Sequence, residues 1–177
     1  MRIGISGAQS VGKTTLLNAL RSEFLFKDYT VCSEVTRRVK SYGLPINEDG
    51  TDITQKLIMN EHIYNVFMYT DMITDRTALD GLVYTKYLLN KGKVNVNTFL
   101  HVEKVFRSVW KQYDYVFYIE PEFNIADDGV RSVDIAFRDA ITEIFESYID
   151  KEKLAVLRVK GSVRERVNTI INILEGR

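Results

Sequence analysis

A single cysteine, Cys32, among 177 residues excludes an internal disulfide and any cysteine-rich metal cluster. The two histidines, His62 and His101, stand too far apart for metal-ligand spacing and are expected at surface or packing positions. Prolines number two, Pro45 and Pro121, and no low-complexity tract or repeat interrupts the chain. One domain over residues 1–177 with one substantial core is therefore expected. Charge of one sign is missing as well: Lys plus Arg and Asp plus Glu are 24 each. That balance removes a global basic footprint for nucleic acid or an anionic membrane, although a local basic groove stays open. No apolar run approaches the ~18 residues of a membrane span, and the first residues read as a strand rather than a leader. The expectation is no membrane partner and a reducing, cytoplasmic location.

What is present begins at residue 7. Gly7, Ala8, Gln9, Ser10, Val11, Gly12, Lys13 and Thr14 form a complete GxxxxGK[ST] phosphate loop, followed by Thr15. It lies between an apolar strand, about 1–6, and a helical run, about 14–24. Each position has its own task. Gly7 and Gly12 permit backbone angles and close approaches that a Cβ blocks, so successive N–H groups can turn toward a polyphosphate. Lys13 can reach the β- and γ-phosphates, and the Thr14 hydroxyl can complete a magnesium shell. The helix start adds partial positive charge from its unpaired N–H groups. ATP and Mg2+ are the expected cofactors.

Apolar strands at about 1–6, 29–33, 71–74, 114–119 and 154–159 alternate with helical stretches, which argues for a parallel sheet with helices on both faces. The expected fold class is α/β, a P-loop NTPase or kinase three-layer sandwich with five parallel strands. Phe99, Val102, Phe106, Val109 and Tyr113 recur at helical spacing after Asn97 as N-cap, and Val133, Phe137, Ile141, Ile144 and Tyr148 repeat the device after Ser132. Gly161 precedes a last helix over about 163–174. Residues 42–52 read as a polar surface loop.

Three classes share this loop: switch GTPases, remodelling ATPases and small-molecule kinases. A switch GTPase needs Asp-x-x-Gly, and no glycine here follows an aspartate by three residues; Asn90-Lys91-Gly92-Lys93 also fails as Asn-Lys-x-Asp. A remodelling ATPase usually carries an Asp-Glu pair at a strand end, and the sequence has no Asp-Glu dipeptide. Transfer to a bound hydroxyl or phosphate remains. Asp75 and Arg76 follow the third strand, where a carboxylate faces magnesium or the acceptor and an arginine fixes a phosphate; alternatively Asp75 caps the helix beginning near Ala78. Asp80 in that helix can serve the helix dipole alone. Glu34 ends the second strand, with Arg37 and Arg38 one turn on; it can accept the acceptor hydroxyl's proton or act as an ordinary first-turn glutamate. The segment Asp127-Asp128-Gly129-Val130-Arg131-Ser132 reads as a lid, about 121–133, that brings Arg131 to the transferring phosphoryl.

With those residues assembled, the chain resembles the P-loop kinase domain of ribosylnicotinamide kinases, a group that shades into thymidylate-kinase-like enzymes. The resemblance covers nearly the whole chain. It rests on Gly7 to Thr14, on Glu34-Val35-Thr36-Arg37, on Ile73-Thr74-Asp75, and on Tyr113-Asp114-Tyr115-Val116 leading to Asp127 through Ser132. It implies that the loop binds ATP, that the strand-end acids Asp75 and Glu34 face acceptor and magnesium, and that Arg131 belongs to the lid. Asp75-Arg76 is more similar to the Asp-Arg of thymidylate-kinase-like enzymes than to the Asp-Thr-Asp of ribosylnicotinamide kinases. Stand-alone kinases of this look occur in phages, where one group phosphorylates hydroxymethyluracil in DNA, so the acceptor implied is nucleoside-type, with modified phage DNA as the specific expectation and ribosylnicotinamide, or a deoxynucleoside or deoxynucleotide, as the alternatives. A viral enzyme of this kind works in the host cytoplasm. An ATPase subunit or nucleotide-dependent binding module is the non-kinase alternative. Arg37, Arg38, Lys40 and Arg76 would supply the local basic patch that a DNA acceptor requires.

Overall fold

A computed structural model describes residues 1–33, 35–122 and 135–176. Glu34 and nearly all of the proposed lid, including Arg131 and the Ser132 cap, lie outside the described residues.

Five strands, β1 (Arg2–Ser6), β2 (Thr30–Cys32), β3 (Met72–Asp75), β4 (Tyr115–Ile119) and β5 (Leu157–Val159), form one sheet in the order β2-β3-β1-β4-β5, with every neighbouring pair parallel. The strands sit within a residue or two of the positions their apolar runs indicate, except that β5 starts later, after Leu154 and Val156. In β1, β3 and β4 nearly every residue is buried regardless of which face it points to. Consecutive burial of this kind requires helices on both faces of the sheet.

Those helices are α1 (Lys13–Arg21), α2 (Val35–Ser41), α3 (Asp52–Met68), α4 (Ala78–Asn90), α5 (Val96–Val109), α6 (Ile135–Lys151) and α7 (Val163–Leu174). Helix α1 packs on α7, while α3, α4, α5 and α6 pack among themselves. The two periodic stripes are core as expected: Val102, Phe106, Val109, Phe137 and Ile141 are all buried. Helix α5 starts two residues earlier than its polar signal, because Asn95 rather than Asn97 accepts the Thr98 N–H at 2.9 Å. Apolar periodicity cannot register this difference, since Val96 at the first helical position is exposed. Ser162, directly after Gly161, caps α7 through a reciprocal box with Glu165. Residues 42–52 are not simply solvated: Asn47–Asp49 make a short 3₁₀ turn and Ile46 packs with Val35, Val39 and Ile58 in a small second core.

The order places β1 at the centre with β3 and β4 beside it. In open parallel sheets, ligands bind outside the carboxyl ends of the strands, where the chain order reverses. Here Ile5 lies opposite Asp75, so the end of β3 is brought directly beside the phosphate loop that leaves β1.

Candidate functional site

The phosphate loop turns because two glycines allow it. At Gly7 a Cβ would lie 2.5 Å from the Ile119 carbonyl oxygen, an overlap with backbone that cannot yield. Gly12, at φ 89°, takes the left-handed conformation that opens α1. Behind them Lys13 is 4% exposed, and its ammonium donates to the Gly7 carbonyl at 2.8 Å and the Ala8 carbonyl at 2.5 Å. The loop thus holds its own lysine across its mouth.

Asp75 faces this loop. Its Oδ2 accepts the Thr14 hydroxyl at 2.5 Å, while its Oδ1 is buried without a hydrogen-bond partner. The alternative role as a helix cap is not the one observed. Thr77 caps α4, its hydroxyl accepting the Leu79 N–H, and Asp80 answers by accepting the Thr77 N–H at 2.9 Å. A buried carboxylate oxygen without a donor is rare in native proteins and marks a place where an ion, water or ligand belongs. Thr14 Oγ1 and the Asp75 carboxylate are adjacent hard oxygens, and their chemistry fits Mg2+, which typically takes one or two protein carboxylates and completes its shell from phosphates and water. Among the described residues no group of three or more His, Cys, Asp or Glu side chains is placed to hold a metal by itself.

Arg76 follows at φ 80°, a left-handed conformation that is uncommon for a residue with a side chain. The turn is held by its N–H donating to the Ile5 carbonyl at 2.9 Å. It sends the guanidinium over the Tyr84 ring, 5.0 Å from its centroid, and to 3.9 Å from Asp80 Oδ1. Backbone strain of this sort concentrates at functional sites.

Asp80 does more than serve a dipole. It is 1% exposed, and its Oδ2 accepts the hydroxyl of Ser6, the last residue of β1, at 2.8 Å. Burial raises its pKa, opposed by the charges of Lys13 and Arg76 and by its hydrogen bonds.

Between α2, α3 and α4 lies a half-enclosed cavity of about 20 Å³, room for about one water, with Gln55, His62, Arg76, Asp80 and Tyr84 on its walls. Its polar groups are fixed from behind. Tyr84 donates to the Gln9 side-chain carbonyl of the phosphate loop at 2.9 Å, and Thr85 donates to Gln55 Oε1 at 3.0 Å. His62 differs: it is 1% exposed and neither ring nitrogen has a hydrogen-bond partner. Burial, reinforced by the Arg76 charge, pushes its pKa down from 6.5 to about 3, so the ring stays neutral and offers one donor and one acceptor. A histidine that refuses its proton when folded costs stability in acid. Below pH 6.5 the unfolded chain binds a proton that the folded chain does not, so stability falls as pH drops toward about 3. At about pH 5 the loss from His62 alone is about 2 kcal/mol. Urea unfolding at about pH 7 and pH 5 should show that difference in the native chain and its disappearance in His62→Phe.

Of the residues singled out from sequence, the structure brings together the phosphate loop, Asp75 and Arg76. Thr15 is exposed at the start of α1. Arg37 and Arg38 lie apart from the cavity, on a groove below the end of β2 with Tyr64, Asn65 and Tyr69. Arg38 is engaged there by Glu61 at 3.5 Å. Sequence reasoning missed Gln55, His62 and Tyr84 as cavity walls. Gln55 and His62 are seven residues apart on α3, a helical repeat that could have indicated a shared face.

A sequence profile of the AAA domain family matches residues 2–166. The chain belongs to the AAA domain family. No curated protein matches the sequence. Among solved structures, a crystal structure of NadR protein in complex with NR is 17% identical with a TM-score of 0.74, over 99% of this chain and 51% of that one. Deoxyadenosine kinase from M. mycoides with bound dATP is 15% identical with a TM-score of 0.69, over 99% of each chain. This AAA-domain chain therefore spans about half of the NadR protein and the whole of the deoxyadenosine kinase, and its fold is that of P-loop kinases. Among the described residues no helix is long and apolar enough to cross a membrane.

Proposed function

We propose that the chain is an ATP- and magnesium-dependent kinase that transfers the γ-phosphoryl group to a hydroxyl of a nucleoside-type acceptor. The observation that carries this reading is the cluster of buried polar side chains beside the phosphate loop, Arg76, Asp80 and the unpartnered His62, around one small cavity. Buried polar side chains without hydrogen-bond partners mark a place where a ligand group belongs, and both His62 ring nitrogens and Asp80 Oδ1 are of that kind. The likeness in fold to a deoxyadenosine kinase over the full length of both chains supports the same reading.

In this scheme the loop N–H groups and Lys13 hold the triphosphate, with Thr14 and Asp75 as the magnesium ligands. Mg2+ would neutralise charge on the phosphates as it does in such kinases generally. The acceptor oxygen attacks the γ-phosphorus, the bond to the β–γ bridging oxygen breaks, ADP departs, and the hydroxyl proton passes to a carboxylate. Asp75 Oδ2 is committed to Thr14, which favours Glu34, next to Ser33 at the end of β2, as the proton acceptor. Arg131 is assigned to the transferring group from its sequence context alone.

The likeness in fold to a deoxyadenosine kinase favours a free nucleoside. The groove with Arg37, Arg38, Tyr64 and Tyr69 is the specific observation in favour of the second reading, hydroxymethyluracil in DNA, because aromatic and guanidinium groups together suit a single strand drawn from a duplex. ADP formation measured with ribosylnicotinamide, deoxyadenosine, thymidine, thymidine monophosphate and hydroxymethyluracil-containing DNA separates them. Stimulation by one of these identifies the acceptor class; a basal rate that none of them changes contradicts the kinase reading in favour of an ATPase or binding module. Once an acceptor is known, His62→Phe should raise its KM by roughly tenfold, the size of one lost buried hydrogen bond, and leave the KM for ATP unchanged.

A further inference from the structure

We infer that Arg166 is a positioning residue for the phosphate loop, setting the plane of the Val11–Gly12 peptide and being held for that task by Glu122. Arg166 stands on α7, one turn from its cap, with 1% of its surface exposed. One guanidinium nitrogen donates to the Val11 carbonyl at 2.8 Å and the other meets the Glu122 carboxylate at 2.7 Å. Glu122 in turn accepts the Gly161 N–H at 2.9 Å. A single ion pair thus joins three segments at the carboxyl edge of the sheet: the phosphate loop, the chain leaving β4, and the turn between β5 and α7.

Packing alone does not account for this arginine. Val167 and Ile170 already bury the apolar face of α7 in the core, and a buried ion pair is often no more stabilising than apolar groups of the same volume. An apolar side chain cannot, however, fix the direction of a peptide unit. No peptide bond among the described residues is cis, and in a trans peptide the C=O and N–H point in opposite directions. With the Val11 carbonyl drawn to the buried guanidinium, the Gly12 N–H is directed away from it, toward the open side of the loop where a phosphate binds. Glycine suits position 12 because its φ of 89° is one that residues with a side chain rarely adopt. The inference concerns polyphosphate binding and holds whether the γ-phosphoryl passes to an acceptor or to water, so its failure is distinct from failure of the proposed function.

Calorimetric titration of the full chain with inorganic tripolyphosphate and with a non-hydrolysable ATP analogue, at fixed magnesium, provides the test. Arg166→Met should weaken both by roughly tenfold or more, the loss of a charge-assisted bond that orients a binding group. Arg166→Lys should fall between, because an ammonium still donates but cannot serve Val11 and Glu122 together. Tripolyphosphate affinity unchanged in a folded Arg166→Met chain, with only its melting midpoint lowered, would mean that the residue merely packs and would overturn the inference. Should Arg166→Met not fold, Arg166→Lys and Glu122→Gln are read instead, and wild-type tripolyphosphate affinity in both overturns it equally.

Discussion

Asp75→Asn should lower phosphoryl-transfer turnover on the order of 10²–10³-fold, the cost of removing one preorganised electrostatic group from a reaction that develops charge. The substitution keeps the shape of the side chain and an oxygen that can accept the Thr14 hydroxyl, so the 2.5 Å contact between the two residues has a substitute. What it removes is negative charge at a buried site where one carboxylate oxygen has no donor. Folding should tolerate the loss, because the amide keeps the shape of the side chain and Oδ1 has no donor to lose. The expected combination is therefore unusual for a core substitution: a melting midpoint equal to or above that of the native chain, a large fall in kcat, and a higher magnesium concentration at half-maximal rate. Turnover close to native would place the ion elsewhere and leave Asp75 as the support of Thr14 only.

Lys13→Ala should reduce turnover by a comparable factor, about 10²–10³-fold or more, but with a different signature. The ammonium is held by the Gly7 and Ala8 carbonyls, so truncation both removes the cation that meets the β- and γ-phosphates and takes a donor from two loop carbonyls. Leaving buried acceptors unpaired costs about 1–3 kcal/mol, which at this chain length lowers the melting midpoint by about 2–4 °C for each kcal/mol. Nucleotide affinity should fall together with kcat, whereas Asp75→Asn acts mainly on kcat. Lys13→Arg separates charge from fit: a guanidinium is too broad for the two carbonyls that hold the ammonium, so partial nucleotide binding with little turnover is expected. Steady-state kinetics in both substrates, alongside melting curves, distinguish these patterns; native turnover in Lys13→Ala would remove the phosphate loop from the chemistry.

What could be read in the sequence was local. The phosphate loop carries its spacing in eight consecutive residues, and the strand runs around it are apolar without interruption, so the loop, the parallel sheet and the place of Asp75 at a strand end follow from neighbours along the chain. Helix ends were legible where a polar cap sits beside a glycine, as at Gly161 and Ser162, and were displaced where two asparagines two residues apart compete, as at Asn95 and Asn97. The remaining features depend on contacts between residues far apart in sequence. Asp80 reads as a first-turn carboxylate until Ser6, 74 residues away, is seen to donate to it. Nothing beside Arg166 in the sequence indicates its contact with Val11, across 155 residues. His62 sits in a stretch whose apolar periodicity is weak, and its burial depends on how α3 lies against α4. Arg76 shows a left-handed backbone angle that no residue-type preference would suggest, imposed by the Ile5 carbonyl that receives its N–H.

In the proposed reaction the γ-phosphoryl group ends on an acceptor hydroxyl bound beside the phosphate loop. That reaction is tested most directly by following the label of γ-labelled ATP, with the acceptor that most stimulates ADP formation, into separated products. Label should appear on the acceptor in proportion to the ADP formed, and Asp75→Asn should suppress both together. Label recovered entirely as inorganic phosphate, with every acceptor returned unmodified, would contradict the proposed reaction.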